Sequence, residues 1–459
     1  MLCHPKAHEY QRKALEFSLA NTESYQALDM GLGKTLIALC WSLNILPEVN
    51  GVLIIAPIKP MYNTWPDEKE KWTPDLSHTI VHGPDKATAL RKKSDLYFTN
   101  FESIVWLYNE LKRMFKQGDK IPFRAIVIDE GSMIKSHSTK RFKALRKLKD
   151  LFPKWKLVLS ATPAPNSYLN LWSQYFFLDN GKRLGTTFGR YQVTYFKPLD
   201  QRGFMWVAKP GACDIINEEI KDITYRLDGN DYLNLPTVTN NFIKVKLPAK
   251  VKANYDKLEA DFFLQLKEGS IEVFNAASLS MKLRQFVQGA VYTDTKHNYE
   301  VMHTEKLEAL KSLVEAADSK PILVAIQFIF ELDLISKAFP NVPIIRGGVT
   351  NSEATRLIRL WNEGKLPILL CHPKSLSHGM NMQAGSNILV WYGLPWSGEQ
   401  HEQLIGRLAR QGQKEEKVIV HYLLADKTID LAIAASLKAK AKGQRGLLDY
   451  LNKYHKGEL

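Results

Sequence analysis

Asp29 to Thr35 reads DMGLGKT, and an apolar helical run, LIALCWSLNIL, follows it. Two glycines one residue apart, then Lys-Thr, suit a phosphate chain. Gly31 and Gly33 let backbone N–H groups turn inward on an anion. Lys34 then reaches β- and γ-phosphates, and Thr35 offers a hydroxyl to Mg2+. The next helix points its positive end at the same place. Relative to G-x-x-x-x-G-K-T the first glycine is missing. A plain Gly-rich turn before a helix is the competing reading. Further on, AIVIDEGS (Ala125 to Ser132) is an apolar strand ending in two acids. Asp129 would hold Mg2+ through water, and Glu130 would orient or deprotonate an attacking water. The alternative is that the acids cap the following helix. LSATP (Leu159 to Pro163) ends another strand with Ser160 and Thr162, a weak signal that a turn explains equally well.

A third group lies far downstream. EQLIGRLARQGQ (Glu402 to Gln413) sets Gln403, Arg407 and Arg410 at spacings of four and three. On a helix these share one face, and the expectation is that no carboxylate on that helix pairs the arginines. A solvated face is the plain alternative.

These groups need strands and helices to hold them. Through the first 180 or so residues, apolar strands at Gly51–Pro57, Asp95–Asn100, Ala125–Glu130 and Lys156–Pro163 alternate with charged helical stretches. Strands apolar throughout are those of a parallel sheet covered on both faces. From about Asn180 to Arg226 the sequence turns irregular. NLPTVTNNFIKVKL (Asn234 to Leu247) reads as extended, and a helical region runs from Lys250 to Arg284. PILVAIQF, PIIRGG, PILLCHP, NILVWYG and KVIVHYLL then form a second alternating set. The pattern predicts two α/β domains.

Composition narrows the partners. The 459 residues carry 62 Lys plus Arg against 48 Asp plus Glu, a net charge of +14. That balance favours a polyanion. Lys135 to Lys156 holds nine Lys or Arg and one Asp, and the tail from Lys438 to Lys456 is also basic. No apolar run reaches the roughly 18 residues of a membrane span, and the N-terminus has no signal-peptide core. Cys3, Cys40, Cys213 and Cys371 show no metal spacing and read as free thiols in a reducing, cytoplasmic compartment.

The glycine loop, the acid pair and LSATP, in this order and ahead of a second α/β domain bearing Gln403, Arg407 and Arg410, resemble helicase superfamily two, and within it the Swi/Snf-type DNA translocases. LIIAPIKPMYNTWPDEKEKW, LNLPTVTNNFIKVKLPAKVKANYDKL, LRQF, VAIQF, SHGMNMQAGSNILVWYGLPWS and QLIGRLARQGQ are similar to that family's segments and follow its order, covering roughly Lys6 to Leu424. The resemblance implies two RecA-like lobes, each a parallel sheet flanked by helices, with a short helical insertion. Residues 1–230 would be the ATP-binding lobe, 231–300 the extended and helical link, and 301–459 the second lobe with its basic tail. ATP and Mg2+ would be the cofactors. Gln11 matches the position that reads adenine. Arg407 and Arg410 would reach the γ-phosphate, with Gln403 beside them. Lys59, Thr99 and Asn381 match positions facing the nucleic-acid backbone, and Trp396 matches a family tryptophan. Double-stranded DNA is the implied partner, with single-stranded nucleic acid as the alternative. This chain departs from the pattern in three places. DEGS replaces Asp-Glu-Ala-His, Gly393 stands where an aspartate is common, and Ala409 where a histidine is. The expected activity is ATP-driven translocation on DNA. Two rivals stay open: a strand-separating helicase on DNA or RNA, and a nucleotide-gated DNA-binding scaffold without efficient turnover.

Overall fold

The computed structural model describes residues 1–29, 31–148, 151–152, 154–161, 167–198, 206–228, 235–267, 273–295, 297–376 and 381–438. Thr162, Ser377 to Met380 and the basic tail beyond Lys438 lie outside the described residues. The chain divides into two compact units, Met1–Asn234 and Leu235–Leu459.

The first unit contains β1 (Glu23–Leu28), β2 (Val52–Ala56), β3 (His78–Ile80), β4 (Leu96–Asn100), β5 (Ala125–Asp129), β6 (Lys156–Ser160), a short antiparallel pair β7 (Phe196–Pro198) and β8 (Trp206–Ala208), and β9 (Thr224–Leu227). Seven of these make one sheet in the order β3-β4-β2-β5-β6-β1-β9, parallel throughout. The central strands β2, β4 and β6 are buried at every residue, as helices on both faces require. β1 is the polar exception. Ser24 and Gln26 are buried, and Gln26 Nε2 donates to the Ala14 carbonyl at 2.8 Å while Ser24 and Ser18 share a hydrogen bond of 2.8 Å. These bonds tie β1 to the helix Glu9–Ala20. The segment read as irregular contains the helices Phe188–Tyr195 and Ala212–Ile220 and the edge strand β9.

The second unit contains β10 (Thr237–Val245), an antiparallel pair β11 (Ala290–Tyr292) and β12 (Tyr299–Val301), then β13 (Ile322–Ala325), β14 (Ile344–Ile345), β15 (Ile368–Cys371), β16 (Ile388–Trp391) and β17 (Lys417–Ala425). Its sheet runs β10-β17-β16-β13-β15-β14, again parallel throughout. The protein is thus α/β, two parallel sheets flanked by helices.

Of the segment 231–300, expected to link two lobes, residues 235–300 fall within this second unit. β10 pairs with β17 at nine consecutive positions, from Thr237↔Lys417 to Val245↔Ala425. Tyr255, Leu283, Phe286 and Val287, from the helices Ala249–Lys267 and Val273–Val287, pack in one core with Leu323, Trp391 and Tyr422. Backbone pairing and shared apolar burial decide which unit a segment joins, and both favour the second.

Candidate nucleotide site and arginine helix

In the first sheet β5, β6 and β1 are neighbours, so their carboxyl ends open on the same edge. That edge is where parallel α/β sheets bind ligands. β1 runs into the glycine loop. Gly31 has φ +91° and Gly33 φ +78°, left-handed values that a side chain disfavours. Gly33 caps the helix Lys34–Ile45. A Cβ on Gly33 would also sit 2.2 Å from Gln11 Nε2. Gln11 is buried and bridges two backbones: its amide donates to the Leu32 carbonyl at 3.1 Å and accepts from His8 N–H at 2.9 Å. The residue expected to read adenine is thus fixed against the loop. Lys34 turns its ammonium back onto the carbonyls of Leu28 and Asp29, at 2.7 and 3.1 Å. Thr35 follows on the first turn, half-buried.

The acids stand two strands away. Burial pushes the Asp129 carboxyl up to about 6, and the charge of Glu130 adds to this. The indole of Trp65 and the ammonium of Lys34 pull it down. Trp65 is fully buried and its Nε1–H donates to Asp129 Oδ2 at 2.9 Å. The two spaced tryptophans of the sequence carry no role on spacing alone. The indole donor is that role for the first, and only a three-dimensional contact across 64 residues reveals it. Glu130 adopts φ 71° and ψ 71°, a strained conformation for a non-glycine residue. Its Oε1 accepts from Ser132 Oγ at 2.7 Å and from Ser160 Oγ at 3.3 Å. The serine of DEGS therefore braces the acid directly, and so does Ser160 at the end of β6.

Gly131 has its own reason. A Cβ there would meet Val158 Cγ1 at 2.7 Å, Gln174 Oε1 at 2.8 Å and Tyr25 OH at 2.9 Å. Tyr25 OH donates to Gln174 Oε1 at 2.6 Å, so this polar pair occupies the room an alanine would need.

An oxygen-rich set suits Mg2+, which takes oxygen ligands and keeps several waters. Asp129, with one oxygen held by the indole, and Thr35 at the helix start fit that description. Among the described residues no cluster of three His, Cys, Asp or Glu gathers for a metal, so phosphate oxygens and water would complete the shell.

In the second unit the helix Gly398–Leu408 follows β16, capped by Ser397 Oγ, which accepts from Gln400 N–H at 3.3 Å. Gln403 and Arg407 lie on it and are largely buried. One expectation fails here. The helix closes at Leu408 with Ala409 as its cap, so Arg410 lies past the end and does not share the face. The helix does carry a carboxylate that engages the glutamine: Gln403 Nε2 donates to Glu399 Oε1 at 3.2 Å. Glu399 lies on the first turn of the helix, ahead of the Glu402 to Gln413 stretch that carries the arginines.

The three positions matched to nucleic-acid contacts differ. Asn381 is exposed and Lys59 half-buried, and burial lowers the Lys59 ammonium pKa. Thr99 is fully buried, and its hydroxyl donates to the Val81 carbonyl at 2.9 Å. That hydroxyl is spent inside the sheet, and the expectation for Thr99 is corrected.

Residues 10–290 match the SNF2-related domain, and residues 305–412 the helicase conserved C-terminal domain. The chain belongs to the SNF2-related family. It is an ATP-hydrolysing enzyme. It is 33% identical to "Putative protein p41" of Acyrthosiphon pisum secondary endosymbiont phage 1, over 97% of this chain and 98% of that protein. It is 27% identical to "Putative ATP-dependent helicase/translocase YwqA" of Bacillus subtilis (strain 168), over 94% of this chain, and spans 47% of that longer protein. The Sulfolobus solfataricus SWI2/SNF2 ATPase core, solved with double-stranded DNA, aligns with 100% of this chain at 21% identity and a TM-score of 0.43. Among the described residues no helix is long and apolar enough to cross a membrane.

Proposed function

We propose that this member of the family is a motor that couples ATP hydrolysis to movement along duplex DNA. The observation that carries the reading is the gathering of Gly31 to Thr35, Asp129 and Glu130 on one edge of a parallel sheet. In this reading Lys34 and the loop N–H groups hold the phosphate chain, and Glu130 orients the attacking water. Mg2+ supplies charge neutralisation on the phosphates and would be held by Asp129 and Thr35. Arg407 and Arg410 of the second unit act on the γ-phosphoryl group during transfer.

DNA as the track is supported by charge. The helix Lys140–Leu148 buries Phe142, Leu145 and Leu148 and exposes Lys140, Lys143, Arg146 and Lys147. Arg141 is engaged elsewhere, with Glu102 at 3.0 Å. Phosphate contacts give affinity without sequence preference, which is what a protein moving along DNA needs. The relatives' names include "DNA excision repair protein ERCC-6-like" of Homo sapiens, 28% identical over 43% of this chain.

The test is turnover against double-stranded DNA, single-stranded DNA and RNA, followed by displacement of a triplex-forming strand. Duplex-stimulated hydrolysis with ATP-dependent triplex displacement, and no unwinding of a forked duplex, is the expected result. Efficient fork unwinding without triplex displacement would replace the translocase by a strand-separating helicase.

A further inference from the structure

The segment between β16 and the arginine helix is held from beneath by side chains that the site itself does not use. Three successive carbonyls each accept a hydrogen bond from a different long side chain. Tyr392 O accepts from Lys306 Nζ at 3.2 Å, Gly393 O from Gln327 Nε2 at 3.3 Å, and Leu394 O from Arg284 Nη2 at 2.7 Å. The guanidinium of Arg284 also lies over the Trp396 ring, 4.6 Å from its centroid. Ser397 then caps the helix. Support is thus continuous from Tyr392 to the first turn of the helix that carries Gln403 and Arg407.

The three donors are themselves fixed. Lys306 is buried, and its three ammonium protons are all used: on Tyr392 O, on Gln288 Oε1 at 3.0 Å and on Asp430 Oδ2 at 2.6 Å. Arg284 is 4% exposed. Gln327 N–H donates to Glu331 Oε2 at 2.7 Å. Glu331 is fully buried, and its Oε1 has no hydrogen-bond partner among the described residues. A Cβ on Gly393 would lie 3.0 Å from that oxygen, 3.1 Å from Gln327 Cγ and 3.4 Å from Gln288 Cδ. The glycine lets the loop descend onto its donors. The donors come from the helix Val273–Val287, the helix Glu305–Ala316 and the turn that follows β13. Burying two cations in a unit is costly, and here their hydrogen bonds converge on one short backbone segment.

We propose that Lys306 and Arg284, both buried, and the half-buried Gln327 form a three-point clamp on residues 392–394 that positions the helix bearing Gln403 and Arg407. The clamp residues are positioning residues. The inference rests on the reading that this helix serves the γ-phosphate, but its physical content is the placement of the helix. A loosened clamp leaves nucleotide binding on the first unit intact and lets the arginines miss their target. Turnover falls while the KM for ATP stays.

The experiment uses the full chain and three mild variants. Gln327→Met deletes one donor at similar length, Arg284→Lys keeps the charge and loses the fork, and Gly393→Ala presses on the clamp from the loop side. Amide hydrogen exchange over residues 396–408, kcat with duplex DNA, the KM for ATP and the melting temperature are measured on each. The expected result is exchange at least about tenfold faster over 398–408 and kcat about tenfold lower, with KM within about twofold, in variants that remain folded at the assay temperature. Wild-type exchange and wild-type kcat in all the variants that fold would overturn the clamp. So would a kcat loss with unchanged exchange, or a failure of all three variants to fold, which would make the cluster core support for the whole unit. Arg410→Ala and Arg407→Ala are run alongside. If both keep turnover, the γ-phosphate reading fails. The exchange data then judge the clamp's hold on the helix separately.

Discussion

The two units solve one problem in two ways. Each must hold polar side chains at the mouth of a parallel sheet, on a loop that leads from a strand into a helix. The first unit does it with backbone. Gly31 and Gly33 take left-handed conformations, and the loop is short and self-contained. Lys34 and Thr35 follow at once in the chain. The second unit does it with side chains reaching up from the core. Arg284, Lys306 and Gln327 come from three elements and grip three carbonyls in a row. A backbone cradle is built from neighbours in sequence, whereas a buried clamp is built from distant residues. The first is therefore written as a motif and the second is not.

The largest effects should come from the groups proposed to meet phosphate directly. Lys34→Ala removes the charge from the cradle, and hydrolysis should disappear with the fold intact. Arg410→Ala should lower kcat by about 10³ to 10⁵, the range of an arginine finger, while nucleotide affinity persists. Affinity and turnover measured on the same preparation separate the two units: the lysine variant loses both, the arginine variant only turnover. A pair of arginine variants each keeping more than about a tenth of wild-type turnover, far short of a finger's contribution, would remove the γ-phosphate role from both residues.

A middle-sized effect should follow Trp65→Phe, which keeps the ring and loses the N–H to Asp129. A hydrogen bond to a charged group contributes about 1.5–3 kcal/mol, so Mg2+-supported turnover should fall by roughly 10- to 100-fold. The sign of the pH effect is fixed. The indole stabilises the ionised carboxylate, whose pKa burial holds at about 6. Its loss raises that pKa further, and the acid limb of the Mg2+ dependence moves to higher pH. An acid limb that stays put would assign Trp65 to packing alone.

Gly131→Ala asks whether the first unit is as tightly filled as the close neighbours of Gly131 imply. The added methyl would press on Val158, Gln174 and Tyr25, and overpacking of this kind costs about 1–3 kcal/mol. Urea unfolding reads it directly. No change in midpoint would mean the Tyr25–Gln174 pair yields easily.

The smallest effect belongs to the exposed basic face. Lys140, Lys143 and Arg146 to Gln should weaken DNA binding on every sequence and flatten the log–log salt slope by about 0.9 for each phosphate no longer neutralised. An unchanged slope would leave that face merely solvated.

Much of the fold was legible because central parallel strands must be apolar on both faces. β2, β4, β5 and β6, and β13, β15, β16 and β17, all stand out for that reason. β1 did not, since the Ser24 hydroxyl and the Gln26 Nε2 group find partners on a neighbouring helix inside the core, bonds that no local pattern encodes. β3 and β9 are short and lie at sheet edges, where burial is partial and the signal weak. In the site, the glycine loop and the acid pair were readable because their chemistry needs fixed residue types at fixed spacing. Trp65, the Ser132 and Ser160 bonds to Glu130, and the clamp were not, because each joins residues through space. Thr99 misled for a related reason: a hydroxyl at a matching position says nothing about which face of the strand it occupies. Arg410 misled because a periodic spacing does not say where a helix stops.

The pairing of β10 with β17 has a consequence for how the protein is made. Asn241 and His421, hydrogen-bonded across these strands, are 180 residues apart in the chain. At a synthesis rate of roughly 5–20 residues per second, β10 leaves the ribosome about ten to forty seconds before the strand that completes it. During that interval Val238 and Phe242, still 41% and 48% exposed in the finished fold, sit on an unpaired edge able to recruit another chain. Lys244 within the strand and Lys246 just after it add charge, which opposes such pairing. β10 gains its partner only when β17 has been translated, so a message truncated before β17 would release a product with an open template for aggregation.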